Sequence, residues 1–281
     1  MNLNDFELIS RTLKERSGLV LTKDKAYLLE SRLNPVARKW QFKGFDELAK
    51  AIRLGGNEDL LRDVTEAMTT NESFFFRDRR PFDQFRDFVL PRFLESRAGT
   101  RSIRIWSAAC SSGQEPYSLA IVLKEQAAKL AGWKIDIVAT DLSTEILDRA
   151  REGNYSQFEV QRGLPIDLLV KYFVQDGERW RISDDIRKMV TFKKINLLEN
   201  LAGMGRFDLV FCRNVLIYFD QPTKTEVLKN IAGLMPDDGF LFLGGAETVL
   251  GISDRFAVVD GQRGVYAVES GTAAMPASAT G

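Results

Sequence analysis

Histidine is absent from this chain altogether. That absence excludes a Ser-His-Asp or Cys-His nucleophile, a His-ligated zinc site and an imidazole proton shuttle. Four classes of function survive: redox chemistry, methyl transfer to an already ionised nucleophile, carboxylate-based hydrolysis, and binding alone. Cysteine is nearly absent. Cys110 and Cys212 lie far apart in apolar runs without a C-x-x-C pair, so both read as reduced core residues, with no disulfide and no metal site expected. No apolar run approaches the ~18 residues of a membrane span, and "MNLNDFELISRTLKERSG" alternates charged and apolar residues too closely for a signal peptide. A cytoplasmic protein without direct membrane insertion is expected. An excess of one charge is also missing: 39 Lys and Arg balance 39 Asp and Glu. Bulk electrostatics therefore gives no reason to expect nucleic acid as a partner, and any basic surface has to be local.

What is present is an ordinary globular composition, 44% hydrophobic and 28% charged over 281 residues, with two textures. From Asn4 to about Leu94 the periodicity is helical. Phe6, Ile9 and Leu13 share a face with Gly18 as a stop, and Leu60, Leu61, Val64 and Met68 repeat the habit. After Arg101 apolar runs alternate with helical stretches: "SIRIWSAA", "SLAIVLKEQAAKL", "IDIVAT", "STEILDRARE", "FDLVFC", "KTEVLKNIAGLM", "GFLFLGG" and "GVYAVE". This order predicts β-α-β units and an α/β fold with a mostly parallel sheet. The expected division is a helical N-terminal domain with its linker over 1–95, an α/β domain over 96–269 and a disordered tail over 270–281. Within the second domain, roughly 155–195 breaks the alternation, and "ERWRIS" and "KMVTFKKI" there suggest a small antiparallel excursion.

In a doubly wound sheet the loop after the first strand is the usual ligand contact. Here it reads "RIWSAACSSGQEPYSLA", Arg104 to Ala120. A pyrophosphate loop uses G-x-G-x-x-G to free its amides for an anion. This loop has one glycine, Gly113, and places Glu115 where a phosphate would be repelled. Asp141, ending the next strand in "IVATDLS", stands where a carboxylate reaches ribose hydroxyls. A phosphate-free nucleoside with a cationic group fits both acids, and S-adenosylmethionine is such a molecule. Each acid also has a plain structural reading, Glu115 as a helix-start acid and Asp141 as an N-cap. A second dense motif is "TNESFFFRDRRPF". Three consecutive aromatics, Phe74 to Phe76, cannot all face inward on one helix, so some line a junction or pocket; Asn71, Ser73 and Arg77 supply short hydrogen-bonding groups and a fixed cation.

Together "TNESFFFR", "RIWSAACSSGQEPYSLA", "ATDLSTEIL", "INLL" and "FCRNVLIYFD" resemble the CheR-type chemotaxis receptor methyltransferases, which are protein-glutamate O-methyltransferases. The resemblance covers the chain to about Glu269. It implies a Rossmann-like S-adenosylmethionine-dependent methyltransferase domain with a small inserted β-subdomain, preceded by an all-α N-terminal domain. By motif it implies Asn71, Ser73 and Arg77 near the cofactor and reacting centre, Glu115 and Asp141 on the cofactor, Asn196 and Leu197 around the adenine, Arg213 and Asn214 lining the same pocket, and Tyr218 beside the transferred methyl. Arg77 and Tyr218 are the catalytic candidates. The family usually has threonine at Ser73; the hydroxyl is kept. Without the resemblance, the plain structural readings are a helix cap for Asn214 and a core aromatic for Tyr218. The implied partners are the cytoplasmic domains of chemoreceptors, with the enzyme recruited to membrane receptor arrays for sensory adaptation, and the insert is the expected docking place where a receptor C-terminal peptide takes part.

The chemistry agrees with the missing histidines. A glutamate side chain, with a reference pKa near 4.3, is ionised at neutral pH and needs no base to attack a sulfonium methyl. Planar-nitrogen methyltransferases commonly carry an N-P-P-Y-like turn after the fourth strand, where this chain has "RNVLIYF", which suits a carboxyl acceptor. Lys25, Arg32 and Lys39 recur at heptad spacing beside Leu29, Leu33, Val36 and Trp40, a basic stripe expected to face an acidic receptor helix unless Pro35 ends that helix. Two other classes stay open: a nucleoside-binding regulator without turnover, and a nicotinamide-dependent dehydrogenase on the same sheet.

Overall fold

The computed structural model describes residues 3–269, so the tail expected to be disordered at 270–281 lies outside the described residues. Four helices come first: α1 Leu3–Ser17, α2 Tyr27–Lys39, α3 Phe45–Arg53 and α4 Glu58–Met68. Phe6, Ile9 and Leu13 are buried on one side of α1, and with Leu29, Leu33, Leu48, Ile52, Leu60 and Val64 they form a core separate from that of the sheet. Gly18 ends α1 at φ +76°, pressed against the Phe219 ring. Asn57 caps α4 by accepting the Leu60 amide at 2.7 Å.

The basic stripe on α2 comes out differently from expectation. Pro35 stays within a helix that runs on to Lys39. Lys25 lies on a separate 3-10 turn before the helix begins. The Arg32 guanidinium turns inward to donate to the Met68 and Thr69 carbonyls, both at 2.8 Å, and to Thr70 Oγ1. Lys39 pairs with Asp63 at 2.8 Å. Stripe spacing alone does not distinguish a free cation from one closing off the carbonyls at a neighbouring helix's C-terminus.

After α4 the chain enters the second core. A short helix α5 Arg80–Gln84, a π turn Phe85–Val89 and α6 Leu90–Ser96 place Phe82, Phe85 and Phe93 under the sheet, so the helical texture up to Leu94 covers two separate packings. The three consecutive phenylalanines sit in an irregular segment and go three ways. Phe75 is fully buried, edge-on to Tyr155 at 4.9 Å and Phe173 at 5.3 Å. Phe76 meets Phe82, and Phe74 stays half-buried beneath the guanidinium groups of Arg77 and Arg162.

The alternating region then builds β1 Ser102–Ala108, α7 Gln114–Glu125, β2 Lys134–Asp141, α8 Thr144–Glu152, β3 Asn154–Ser156, β4 Phe173–Asp176, β5 Arg179–Ile182, β6 Val190–Lys194, β7 Leu209–Cys212, β8 Phe240–Leu243, β9 Phe256–Val258 and β10 Val265–Val268. The large sheet has the order β6-β2-β1-β7-β8-β10-β9, parallel from β6 to β8 and antiparallel at β10 and β9. From β1 the chain winds outward through β2 to β6, then returns to β7 on the other side of β1. The crevice between β1 and β7, beyond their carboxyl ends, is the topological switch point. A small antiparallel sheet, β3-β5-β4, forms the insert. "ERWRIS" falls within it as β5. "KMVTFKKI" does not: it is β6, the parallel edge of the large sheet, because Val190 and Phe192 pack against the main core.

Arg32 supplies three bonds to the α4 terminus and to Thr70, next to Asn71. Replacing it by methionine keeps its apolar stem but leaves two carbonyls without their charged donor, at a cost of about 1–3 kcal/mol. Urea unfolding of Arg32→Met should show that loss, and an unchanged midpoint would contradict it.

Candidate active site

The loop between β1 and α7 explains its single glycine. Ala109 and Ser111 adopt φ of 55° and 52°, and Gly113 follows at 92°. A Cβ on Gly113 would lie 3.1 Å from Ala150 and from the Tyr117 ring, so glycine is required both by backbone conformation and by close approach. Three of the loop's amides are engaged internally. Cys110 N donates to Thr140 O at 2.8 Å, Ser111 N to Asp141 Oδ2 at 2.8 Å and Gly113 N to Cys110 O at 3.1 Å. The loop is built to hold Asp141, not a phosphate.

Above this loop opens a cleft. All ten residues named from the sequence line it: Asn71, Ser73, Arg77, Glu115, Asp141, Asn196, Leu197, Arg213, Asn214 and Tyr218. They come from the linker after α4, the start of α7 and the carboxyl ends of β2, β6 and β7. The N-terminal helices close one side, with Ser17 and Leu19 in the wall. That closure is pinned by Val20 N donating to Tyr218 O at 2.9 Å, Asn196 Nδ2 to Arg16 O at 2.6 Å, and Lys14 paired with Asp220 at 2.6 Å.

Arg213 organises the charges. Its side chain is 1% exposed and reaches Glu115 Oε2 at 3.0 Å, Asp78 Oδ2 at 2.7 Å and the Arg77 carbonyl at 3.0 Å. Glu115 also accepts from Ser107 Oγ at 2.8 Å. Glu115 is therefore not the bare anion the sequence suggests: two carboxylates share one guanidinium, leaving one net negative charge. Burial pushes the Glu115 carboxyl up from its ordinary value, opposed by Arg213 and by Ser107. Burial likewise raises Asp141, opposed by the amides of Ser143 and Ser111. Asp141 is not the cap of α8; Ser143 is, accepting the Ile146 amide. Both cysteine thiols are buried and driven well above their usual value, which leaves them unreactive.

The β7 end is held by a residue not singled out in the sequence. Glu247 accepts the amides of Gly244 at 2.6 Å, Asn214 at 2.8 Å, Val215 at 2.9 Å and Ile217 at 3.2 Å. It fixes Asn214 at φ 59°, and a Cβ on Gly244 would sit 2.7 Å from both Asn214 Nδ2 and Glu247 Oε2. Asn214 is thus not a helix cap; Asp220 caps the next helix. Tyr218 is half-buried, and its hydroxyl has no hydrogen-bond partner among the described residues. Asn196 uses both amide atoms on scaffold, donating to Arg16 O and accepting from Leu198 N, so the surface it shares with Ile195, Leu197 and Phe219 is chiefly apolar.

With the geometry in place, comparison with known proteins is decisive. The CheR methyltransferase SAM-binding domain matches residues 71–265, and the CheR methyltransferase all-alpha domain matches residues 4–69. The chain belongs to the CheR methyltransferase family. It is 42% identical over 267 residues to chemotaxis protein methyltransferase 1 of Pseudomonas aeruginosa, covering 93% of this chain and 96% of that one. It is 40% identical over 265 residues to chemotaxis protein methyltransferase Cher2 of Pseudomonas putida, with the same coverage, and 40% identical over 252 residues to chemotaxis protein methyltransferase 1 of Vibrio cholerae, covering 89% and 90%. As a member of this family the chain is an S-adenosylmethionine-dependent methyltransferase, an all-α unit ahead of a Rossmann-like one, and the dehydrogenase and non-catalytic regulator readings fall away.

The cleft fits that cofactor on its own chemistry. Asp141 accepts hydrogen bonds from the Ser111 and Ser143 amides and retains acceptor capacity for hydroxyl groups. Leu19, Leu142, Ile195, Leu197 and Phe219 offer apolar surface for a base. Arg213 Nε is buried without a partner beside Glu115, and the loop amides offer no cradle for a phosphate. Among residues missed from sequence, Asp78 stands next to Arg77 in the motif already singled out, and Glu247 follows β8 in "LGGAETVLG", a small-residue loop like the one after β1. Ser17 and Leu19 carried no local signal.

Replacing Arg213 by methionine leaves Glu115 buried without its cation and should cost about 3–5 kcal/mol near neutrality. The Glu115 carboxyl then rises further above its unfolded value, so the folded state binds the extra proton and stability falls as pH rises through that window. The deficit against wild type should therefore shrink on acidification toward about pH 4.5. Denaturation at pH 7.5 and pH 5 checks it; a gap that widens in acid would contradict the pairing.

Proposed function

We propose that this enzyme transfers a methyl group from S-adenosylmethionine to glutamate side chains in the cytoplasmic domains of chemoreceptors, forming methyl esters that serve sensory adaptation. The observation that carries this reading is a cleft with carboxylates, hydroxyls, apolar surface and two arginines, Arg77 and Arg213, but no histidine, in a chain of the CheR family. Bound S-adenosylmethionine supplies a sulfonium methyl; the acceptor oxygen forms the new O–C bond as the S–C bond breaks and its electron pair stays on sulfur. An ionised glutamate loses no proton in this step.

Residue roles follow as our assignment. Asp141 receives the ribose hydroxyls, while Ile195, Leu197 and Phe219 cover the adenine with Asn196 as their support. Glu115, tempered by Arg213, faces the ammonium end with Asn71, Ser73 and Asn214 nearby. Arg77 orients the acceptor and does not grip it: anion and cation neutralise each other in the transition state, so a tight ion pair would favour the ground state and slow the step. Its geometry agrees, with one arm donating to Glu72 O at 3.0 Å and the group resting on the Phe74 ring. Tyr218 lends an unengaged hydroxyl beside the methyl. The remaining drive comes from alignment and exclusion of water, worth at most about 7–11 kcal/mol. No helix among the described residues is long and apolar enough to cross a membrane, so we place the enzyme in the cytoplasm, recruited to receptor arrays through the receptors themselves. A receptor C-terminal peptide, where one takes part, we place on the small β3-β5-β4 sheet.

The test is transfer of label from S-adenosylmethionine to receptor-containing membranes, released by base as methanol. A base-stable product, or label on nitrogen, would overturn the acceptor. Arg77→Ala should lower single-turnover methylation by about a hundredfold while S-adenosylhomocysteine binding is largely kept. Because the acceptor is ionised throughout, kcat/KM should be flat between about pH 6 and pH 8; a steep rise across that range would contradict transfer to an already ionised acceptor.

A further inference from the structure

A second cleft shares two wall residues with the cofactor cavity: Arg77 and Asn214. Its other walls are Arg80 and Gln84 from α5, the Gly244–Thr248 loop after β8, and Arg263 and Tyr266 at the start of β10. The two cavities thus meet at the arginine assigned to the acceptor. The floor is small-residue backbone, Gly244, Gly245 and Ala246, which lets another chain approach closely.

The charges around this cleft are unbalanced in a way the net charge of zero conceals. Three guanidinium groups line it, those of Arg77, Arg80 and Arg263, against the carboxylates of Asp78 and Glu247. Both carboxylates are already engaged, Asp78 with the buried Arg213 and Glu247 with four backbone amides. The cations are not neutralised. Arg80 and Arg263 are exposed, and among the described residues neither side chain meets a carboxylate. Arg77 donates to the Glu72 carbonyl, and the Glu72 carboxylate within reach of its charge is paired with Arg162. By contrast the stripe on α2 has Arg32 and Lys39 committed to partners within the protein.

We propose that this second cleft receives the acidic segment carrying the acceptor carboxylate, with Arg80 and Arg263 as its recognition cations and Arg77 at the threshold of the cofactor cavity. The proposal rests on the glutamate-acceptor reading above and says where that acceptor enters. Exposed arginines on a rim suit this role, because they steer and register an anionic partner without pressing a strong charge on the reacting oxygen.

The experiment uses the full chain with receptor-containing membranes and labelled S-adenosylmethionine, comparing wild type with R80E/R263E, with the charge-keeping R80K/R263K, and with K129E. Lys129 is an exposed cation in the turn before β2, at the amino ends of the parallel strands and so at the opposite end of the sheet from the cleft. Charge reversal should raise KM for receptor by about tenfold or more. Its kcat and its S-adenosylhomocysteine affinity by calorimetry should stay within about twofold of wild type, R80K/R263K should recover most of the loss, and K129E should resemble wild type. An unchanged KM in R80E/R263E overturns the proposal, as does a fall in S-adenosylhomocysteine affinity, which would move both arginines to the cofactor side. Failure of the glutamate reading looks different: wild type itself would bind S-adenosylhomocysteine yet yield no base-labile ester on the membranes.

Discussion

One buried guanidinium holds the site together. Arg213 leaves the end of β7, crosses beneath the cleft and ties Glu115 at the start of α7 to Asp78 and the Arg77 carbonyl in the linker from the N-terminal helices. Three segments distant in sequence are thereby placed in one register. Burying this charge is costly, and an apolar side chain of similar volume can match or exceed the stability of such a pair. Stability alone is thus a weak reason for the arrangement. Its use is positional: a bidentate-capable fork with fixed geometry sets where Arg77 emerges, which a flexible ammonium would not do.

The same device recurs with carboxylates that template backbone. Asp141 holds the amides of Ser111 and Ser143, Glu247 those of four residues in two loops, and Glu66 receives Ser143 Oγ, Thr144 N and Lys194 Nζ across the junction with α4. Six non-glycine residues in the loops around the cleft, Phe76, Asp78, Arg79, Ala109, Ser111 and Asn214, occupy positive φ. Such conformations persist where surrounding bonds over-determine them. At Ser111 and Asn214 the constraint comes from hydrogen bonds to Asp141 and Glu247, which is how a loop poor in glycine still presents its chain close to a ligand.

The parts of this molecule legible in the sequence were those with local causes. The α1 face of Phe6, Ile9 and Leu13, the parallel strands β1, β2, β7 and β8 and the absence of a phosphate loop all follow from spacing and residue type, and the ten residues that line the cleft were reached by motif. Features created by tertiary contact were not. Nothing near Arg32 announces that Met68 and Thr69 lie beside it, and "KMVTFKKI" has the same pattern whether it pairs with β5 or β2. Short β9, with only Phe256 buried, left little periodicity to read. Glu115 illustrates the intermediate case. Its position was readable from the loop, but its charge state depends on Arg213, which lies far along the chain.

The charge arrangement also accounts for how one enzyme admits an acidic partner while catalysing a step that strong cations would hinder. Ion pairing with the acceptor is favourable in the encounter and unfavourable in the chemical step, since the anion is consumed as the bond forms. Separating the two in space resolves the conflict. Arg80 and Arg263 stand unpaired on the outer cleft, where water screens them, whereas inside the cofactor cavity Glu115 pairs with Arg213, Asp141 is held by backbone amides, and Arg77 is tied to a carbonyl and an aromatic face. The acceptor carboxylate thus passes from a region that attracts its charge to one that constrains its direction. The absence of histidine fits that division, because nothing along this route has a proton to remove.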